Sequence, residues 1–287
     1  MFVDRMDGSA PPKPAPALSS AIVALARPSQ ILRHILRRLA GTVTHVAAAE
    51  NAVALTFDDG PDPVTTPALL KILAAHGAKA TFFMLGENAA SHPEVVEAVR
   101  AEGHAIGNHS WNHPSFPLIS KSNLAYQIRK CSRSLQGNDL LLFRPPFGHQ
   151  TAFTQLMIRL MGYRAVTWNI VLPDWLDHSG EQLANMAAQQ IRPGSILLMH
   201  DSLMDFIEDR FTDRSPTLEA VERILGAFSN QYEFVTIPEL MGRGNPVKTN
   251  WLMKPDINLL NSLKRQRGIP RRYIGTEMVG SWLGYNR

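Results

Sequence analysis

The feature of this sequence that most constrains its fold is a regular alternation of short apolar runs and helical periods between residues 51 and 240. Strands are predicted at residues 53–57, 80–84, 104–107, 141–143, 165–169, 195–199 and 233–237, where β-branched and aromatic residues are concentrated. Helices are predicted at residues 66–76, 93–102, 123–135, 151–161, 181–190 and 217–228. Strands that alternate with helices in this way form parallel sheets, either open and doubly wound or closed into a barrel. Seven strands without a glycine-rich phosphate turn favour the barrel.

The length and composition indicate one main domain with an extension at each end. A chain of 287 residues with 45% hydrophobic content can bury a large core. We expect an N-terminal extension over residues 1–50, a main folded domain over residues 51–240 and a basic C-terminal extension over residues 241–287. Within the first, residues 10–20 are rich in Pro, Ala and Ser and predict a disordered tail. Residues 31–39 predict a basic amphipathic helix that either caps the domain or lies on a membrane surface.

The charge is divided unevenly along the chain, although the net charge is only +4. Residues 1–50 hold six Lys/Arg against three Asp/Glu, and residues 241–287 hold nine against two, so the central stretch carries −6. An acidic central domain argues against a nucleic-acid partner. The basic flanks instead suggest peripheral contact with a membrane or an anionic polymer.

Cysteine content and hydropathy restrict the class of protein further. The single cysteine, Cys131, excludes an internal disulfide and a thiolate zinc cluster. No run of about 18 consecutive apolar residues predicts a transmembrane helix. The alanines at 47–49 resemble a signal-cleavage site, but the apolar stretch before them is short and interrupted. We therefore expect a cytoplasmic or peripheral membrane location.

Polar clusters follow five of the predicted strands, at the ends that share one face of a parallel barrel. The first places Asp58 and Asp59 together in the run TFDDGP. Asp, Gly and Pro are also ordinary turn residues, so this run alone is compatible with a simple turn. Two adjacent acids at a buried strand end nevertheless repel each other, and a bound cation would relieve the repulsion.

The second cluster contains His109 and His113, four residues apart, which share a face if the segment is helical. Two imidazoles and one carboxylate form a familiar set for a catalytic zinc ion that keeps positions open for water and substrate. Either Asp58 or Asp59 can supply the carboxylate, leaving its neighbour free to act as a base.

The three remaining clusters lie later in the chain. Arg144 opens the run RPPFG, Asp174 and Trp175 are adjacent, and His200 ends the apolar run LLMH. Taken singly, these could be a loop, a surface pair and a core histidine. Five such clusters after five strands of one predicted barrel favour a shared pocket.

In order, the runs TFDDGP, H-S-x-x-H, R-P-P-F-G, D-W and L-x-H resemble the five motifs of the NodB-homology polysaccharide deacetylases, carbohydrate esterase family four. The resemblance covers about residues 51–240. It implies a distorted (β/α)₇ barrel and metal-dependent hydrolysis of an N-acyl amide, typically N-acetyl, on an amino sugar. It also implies that Asp59, His109 and His113 bind a divalent metal, usually zinc.

The same resemblance implies roles for the other motif residues. Asp58 would be the general base, oriented by Arg144. His200 would be the general acid that protonates the leaving amine, with Asp174 holding its imidazole. The implied substrate-binding residues are Phe147, whose backbone N–H would stabilise the oxyanion, and Trp175 and Leu198, which would enclose the acyl methyl group.

Two alternatives remain open at this level. One keeps the reaction but places it on a lipid-linked sugar, as a deformylase or deacetylase at a membrane surface. The other is a non-catalytic sugar-binding module. The choice of glycan would be made by loops at residues 113–122, 171–180 and 202–216. The last of these suits a neutral or cationic substrate because it carries Asp205, Glu208, Asp209 and Asp213.

Overall fold

The computed structural model describes residues 41–136, 141–204 and 212–255. The predicted tail at residues 10–20 and the predicted amphipathic helix at residues 31–39 lie outside the described residues. The same holds for Asp205, Glu208 and Asp209 of the acidic loop and for the C-terminal extension beyond residue 255.

A curled parallel sheet forms the centre of the protein, as predicted. The strands are β1 (Thr42–Ala47), β2 (Ala52–Asp58), β3 (Ala80–Met84), β4 (Ala105–Asn108), β5 (Leu142–Phe143), β6 (Arg164–Ala165), β7 (Ile170–Val171), β8 (Ile196–His200), β9 (Glu233–Phe234) and β10 (Asn245–Thr249). Their order is β6-β5-β4-β3-β2-β8-β7, with β9 paired to the beginning of β2, and every pair within this sheet is parallel. The distorted (β/α)₇ barrel is thereby confirmed.

Helices follow the strands along the chain. They are α1 (Thr65–Ala75), α2 (Gly86–Ser91), α3 (Pro93–Ala101), α4 (Lys121–Leu135), α5 (Ala152–Leu160), α6 (Gly180–Gln190), α7 (Ser215–Phe228) and α8 (Ile237–Gly242). Hydroxyl side chains begin several of them: Thr151 and Ser179 form capping boxes at α5 and α6, and Ser120 caps α4. The six predicted helices are all present, within two residues at each end. Among the described residues, no helix is long and apolar enough to cross a membrane.

All seven residues of strand β2 are buried. Leu55 and Phe57 pack in one cluster with Leu73 of α1 and with Val221 and Ile224 of α7. Burying each such side chain contributes about 1.5–3 kcal/mol to folding. Ala52 and Ala54, on the other face of the strand, belong to a second apolar cluster, so packing on both faces fixes the position of the carboxyl end at Asp58.

Two predicted strands are wrong in part. The strand predicted at 165–169 ends at Ala165, and β7 begins only at Ile170, because the intervening backbone bonds elsewhere: the Thr167 N–H donates to the Val43 carbonyl. The strand predicted at 233–237 ends at Phe234 because Thr236 caps α8 in a capping box with Glu239.

Strands β1 and β10 form an antiparallel pair outside the predicted 51–240 domain. Val43 and Val46 of β1 are fully buried and pack in one cluster with Ala54 of β2 and Trp168. Because these side chains share the core of the sheet, we propose that the folded unit includes β1 and β10 as well as residues 51–240.

Candidate active site

Asp59, His109 and His113 form a buried cluster that could hold a metal ion. The Asp59 Oδ1 atom lies 3.4 Å from His109 Nε2 and 3.3 Å from His113 Nε2. That oxygen is buried and has no hydrogen-bond partner among the described residues. A buried carboxylate oxygen facing two ring nitrogens is costly unless a cation or proton lies between them, so this donor set fits a divalent metal.

Tight turns, and not the helix that the histidine spacing suggested, bring the three side chains together. Asp59, Ser110 and His113 have positive φ angles of 74°, 77° and 60°, and the segment from His109 to His113 is a loop in which the Ser110 hydroxyl accepts from the His113 N–H. The two histidines therefore converge although the helical spacing that suggested their pairing is absent. Positive φ is uncommon for these residue types and is found preferentially at functional sites.

The chain also fixes the orientation of His109. Its Nδ1 atom lies 2.8 Å from the Arg144 carbonyl oxygen. Since a carbonyl oxygen only accepts, Nδ1 carries the proton, and Nε2 presents its lone pair to the cluster. Metal-binding histidines in proteins are commonly held in this way.

Asp58 lies beside the cluster in a fixed orientation. Arg144, which is fully buried, donates from Nη1 to Asp58 Oδ1 at 2.7 Å and to the Thr56 hydroxyl at 2.8 Å. Its Nε and Nη2 atoms donate to the carbonyl oxygens of Val166 and Thr167, respectively. The other Asp58 oxygen, Oδ2, lies 3.7 Å from His109 Nε2. One carboxylate oxygen is therefore anchored while the other faces the candidate metal site.

His200 and Asp174 form the second anchored pair. His200 Nδ1 lies 2.8 Å from Asp174 Oδ1, and Asp174 Oδ2 accepts from the His200 backbone N–H at 2.8 Å. Burial by itself lowers the pKa of His200, but the charge of Asp174, its hydrogen bond and the charges of Asp59 and Asp58 outweigh burial and raise that pKa above its usual value. The imidazolium form is thus favoured.

Two residues that sequence reasoning missed support Asp174. The Thr217 hydroxyl donates to Asp174 Oδ2 at 2.9 Å, and Arg214 Nη1 donates to the Asp174 carbonyl oxygen at 3.0 Å. Arg214 is 5% exposed and Thr217 is 1% exposed. No motif marks either residue, since both belong to the turn into α7, about 40 positions after Asp174.

Two of the three predicted substrate-binding residues contact histidines of the site. The Phe147 ring packs against the His113 ring with centroids 4.2 Å apart, and Phe147 itself has a φ of 58°. The Trp175 ring stands edge-on to His200 at 5.2 Å. Leu198 is on β8, two residues before His200, and Trp175 packs against the apolar cluster that contains it.

Asp201 is a further residue whose place in the site was not predicted. It accepts from the Gly60 N–H at 3.1 Å and from the Thr66 hydroxyl at 2.6 Å, so it braces the turn that follows Asp59. A Cβ at Gly60 would lie 2.2 Å from an Asp201 oxygen, which explains the glycine. Burial raises the pKa of Asp201 to about 7. The only sequence signal was its place directly after His200.

Known proteins are similar to this chain in sequence and in fold. The family model described as polysaccharide deacetylase matches residues 45–166. A chitooligosaccharide deacetylase from Azorhizobium caulinodans is 35% identical over 165 residues, which are 56% of this chain and 79% of that protein. A peptidoglycan-N-acetylglucosamine deacetylase from Bacillus cereus is 34% identical over 216 residues, which are 74% of this chain and 98% of the relative.

Solved structures show the same likeness. A crystal structure of a peptidoglycan N-acetylglucosamine deacetylase superposes with a TM-score of 0.65 at 30% identity, over 71% of this chain and 94% of that one. A family 4 carbohydrate esterase from Streptomyces lividans, in complex with acetate, gives a TM-score of 0.58 at 28% identity over 69% and 97%. On its sequence, its barrel and its relatives, the chain belongs to the polysaccharide deacetylases, the NodB-homology carbohydrate esterases of family four.

Proposed function

We propose that this protein hydrolyses the N-acetyl amide of amino sugars in a polysaccharide or oligosaccharide and releases acetate. The observation that carries the proposal is the pairing of two anchored groups: Asp58 tied to Arg144, and His200 tied to Asp174. Asp58 and His200 are in register on the neighbouring strands β2 and β8. A base and an acid on adjacent strand ends suit amide hydrolysis, which needs one proton removed and one delivered. The names of the relatives support the substrate class.

A divalent metal, most naturally zinc, fits the cluster of Asp59, His109 and His113. Two neutral imidazoles and one carboxylate are the ligand types of hydrolytic zinc sites. The Asp59 Oδ1 atom, which has no hydrogen-bond partner among the described residues, faces the Nε2 atoms of both histidines. One bound ion could therefore contact all three atoms. When bound, the ion supplies Lewis acidity to the amide carbonyl and to the attacking water.

Asp58 takes the proton of the attacking water. Arg144 holds one carboxylate oxygen at 2.7 Å, so the other oxygen, 3.7 Å from His109 Nε2, is the one available to the water. Because the guanidinium is fully buried and bonded to fixed backbone carbonyls, the carboxylate keeps this orientation through the reaction.

His200 protonates the departing amine nitrogen. Its Nδ1 proton is directed to Asp174, so Nε2 is the atom that donates to the leaving group. The raised pKa of His200 favours its protonated form, and a reaction that needs one protonated acid and one ionised base has a bell-shaped dependence of rate on pH. Thr217 and Arg214 hold Asp174 in turn.

Three further residues complete the pocket in this proposal. The backbone N–H of Phe147 stabilises the negative charge that develops on the amide carbonyl oxygen. Because only the backbone takes part in this contact, the contact does not require a particular side chain at this position. Trp175 and Leu198 enclose the acyl methyl group with apolar surface.

The test is an assay of acetate and formate release by the purified protein on chitin oligomers, peptidoglycan, another N-acetylated glycan and an N-formylated lipid-linked amino sugar. We expect the protein to release acetate from the glycans. This release should stop after chelation and return when zinc is added. Release that ignores chelation would overturn the metal assignment. Formate release from the lipid-linked sugar alone would replace the proposal by the membrane-surface alternative.

Replacing Asp174 with asparagine is expected to move the alkaline limb of the kcat/KM pH profile to lower pH. The carboxylate raises the pKa of His200 against the effect of burial, so without its charge His200 loses its proton at a lower pH. Glu181→Gln, a charge loss at an exposed position, is the control and should leave the limb in place. An alkaline limb that stays unmoved in Asp174→Asn would contradict the assignment of His200 as the acid.

A further inference from the structure

The segment after β10 folds back onto the loop that begins at Arg144. We call residues 250–255 the C-terminal strap. Met253 of the strap pairs with Gln150: the Gln150 N–H donates to the Met253 carbonyl at 2.8 Å, and the Met253 N–H donates back at 3.1 Å. Trp251 donates from Nε1 to the Gly148 carbonyl oxygen at 3.0 Å. The strap lies beyond the residues matched by the family model, which end at 166.

The loop that the strap holds has an unusual backbone. Phe147 and Gly148 have consecutive positive φ angles of 58° and 67°. For phenylalanine such a conformation costs on the order of 1–3 kcal/mol and persists only when its surroundings fix it. Among the described residues, no backbone hydrogen bond between elements uses the Phe147 N–H. Two local backbone hydrogen bonds, from the Gly148 N–H to the Pro145 carbonyl and from the His149 N–H to the Pro146 carbonyl, shape the turn, and its position relative to the rest of the protein depends on further contacts.

Trp251 supplies such contacts. Besides its hydrogen bond to Gly148, its ring stands edge-on to Trp168 with centroids 5.5 Å apart. A Cβ at Gly148 would lie 3.0 Å from the Trp168 ring and 3.5 Å from Trp251 Nε1, so the two indoles close tightly around the glycine. The loop is thereby fixed between the strap and the apolar cluster of the sheet.

The same loop touches both histidines of the candidate metal site. Its first residue, Arg144, accepts from His109 Nδ1 through its carbonyl oxygen, and the Phe147 ring packs against His113. A shift of the loop would therefore move the Phe147 N–H and the imidazoles relative to one another. Displacements of about 1 Å in a catalytic arrangement can cost 10²-fold in rate.

We propose that Trp251 is a positioning residue: its indole N–H holds the Gly148 carbonyl, and through it the Phe147 backbone N–H, in the geometry needed for catalysis. The proposal rests on the deacetylase function and assigns part of that function to the predicted C-terminal extension. Trp251 acts through the loop and does not touch the reacting atoms.

Trp251→Phe in the full-length, zinc-loaded protein is the sharpest variant, because it removes the N–H donor and keeps an aromatic ring. Loss of one hydrogen bond is expected to lower kcat by roughly three- to tenfold. KM should stay within about twofold, because an interaction made in the transition state affects kcat and kcat/KM together. The zinc content should be unchanged. Leu252→Ala, at the exposed next position of the strap, is the matched control and should have normal kinetics.

A merely structural role for Trp251 gives a different result. It would lower the unfolding temperature while kcat, measured well below that temperature, stays at the wild-type value, and this outcome would overturn the proposal. A rise in KM without a change in kcat would also overturn it, since it would place Trp251 in substrate binding alone.

A second measurement separates this proposal from the proposed function. Amide hydrogen exchange of a peptide covering residues 146–151 should be faster in Trp251→Phe than in the wild type and unchanged in Leu252→Ala. Unchanged exchange in Trp251→Phe overturns the positioning role whatever the enzyme's activity. Faster exchange in a protein that releases no acetate from any glycan would support the hold of the strap on the loop and overturn the deacetylase proposal.

Discussion

Asp58→Asn is expected to lower kcat for acetate release by about 10² to 10⁴ while zinc remains bound, because a positioned general base is worth that much in rate. Asparagine has nearly the same shape and can still accept from Arg144 Nη1, so the surrounding structure should persist. It cannot accept the proton of the attacking water at neutral pH. The measurement pairs initial rates of acetate release with the zinc content of the same preparation.

The neighbouring residue provides the matched comparison. Asp59→Asn is the same substitution one position along the chain, but Asp59 Oδ1 is the atom that faces both His109 and His113. This variant should lose zinc affinity as well as turnover, because a neutral amide is a poor ligand for the ion. An Asp58→Asn enzyme with near-normal turnover, or one that loses its zinc as Asp59→Asn does, would contradict the division of roles between the two aspartates.

His109→Ala should abolish both zinc binding and turnover. The substitution removes one of the three proposed ligands and leaves the buried Asp59 Oδ1 facing a single histidine. It also removes the hydrogen bond to the Arg144 carbonyl, so the loop that carries Phe147 loses a contact. Zinc content after dialysis and acetate release at saturating added zinc are the two measurements.

A histidine outside the site controls for loss of imidazole in general. His76 follows α1 and pairs with Glu222 at the surface, so His76→Ala should keep zinc and turnover. Stoichiometric zinc in purified His109→Ala, or turnover restored to wild-type level by added zinc, would show that His109 is not a ligand and would move the proposed metal site elsewhere.

The parallel fold was predictable because its determinants are local and periodic. The run from residue 53 to residue 57 is apolar except for Thr56, as expected of a strand covered on both faces, and the structure buries all of β2. Helix starts such as Ser179, with Gln182 three residues later, are equally local signals. The capping box at Thr236 and Glu239 is a signal of the same kind, and it indicates that the seventh strand ends before Thr236.

The candidate site was predictable in part. Asp59, His109 and His113 could be named because each stands in a short run with distinctive chemistry, and the structure brings them together. The spacing of the two histidines suggested that they share a helix face. The structure has a turn with positive φ angles there, and residue spacing in the sequence cannot distinguish such a turn from a helix.

The residues that support Asp174 and Gly148 could not be predicted from the sequence, for a different reason. Thr217 and Arg214 meet Asp174 only because α7 packs where it does, and nothing within either local run indicates that partner. Trp251 was assigned to a basic extension by its charged neighbours, although its indole bonds to Gly148, 103 positions earlier in the chain. Contacts of this kind depend on the tertiary arrangement, which charge and composition do not encode.

The in-register pairing of β2 with β8 has a consequence for how the site comes into being. The Gly60 N–H and the Asp201 carboxylate that meet at the ends of these strands are 141 positions apart in the chain. Closing so long a loop must precede any contact between the base-bearing and acid-bearing strands, and such non-local pairing is intrinsically slow. During synthesis His200, the proposed acid, leaves the ribosome after Asp58, the proposed base, and after the two proposed histidine ligands. A nascent chain therefore contains the proposed metal ligands before it contains the proposed acid, and hydrolytic activity is expected only from the fully assembled sheet.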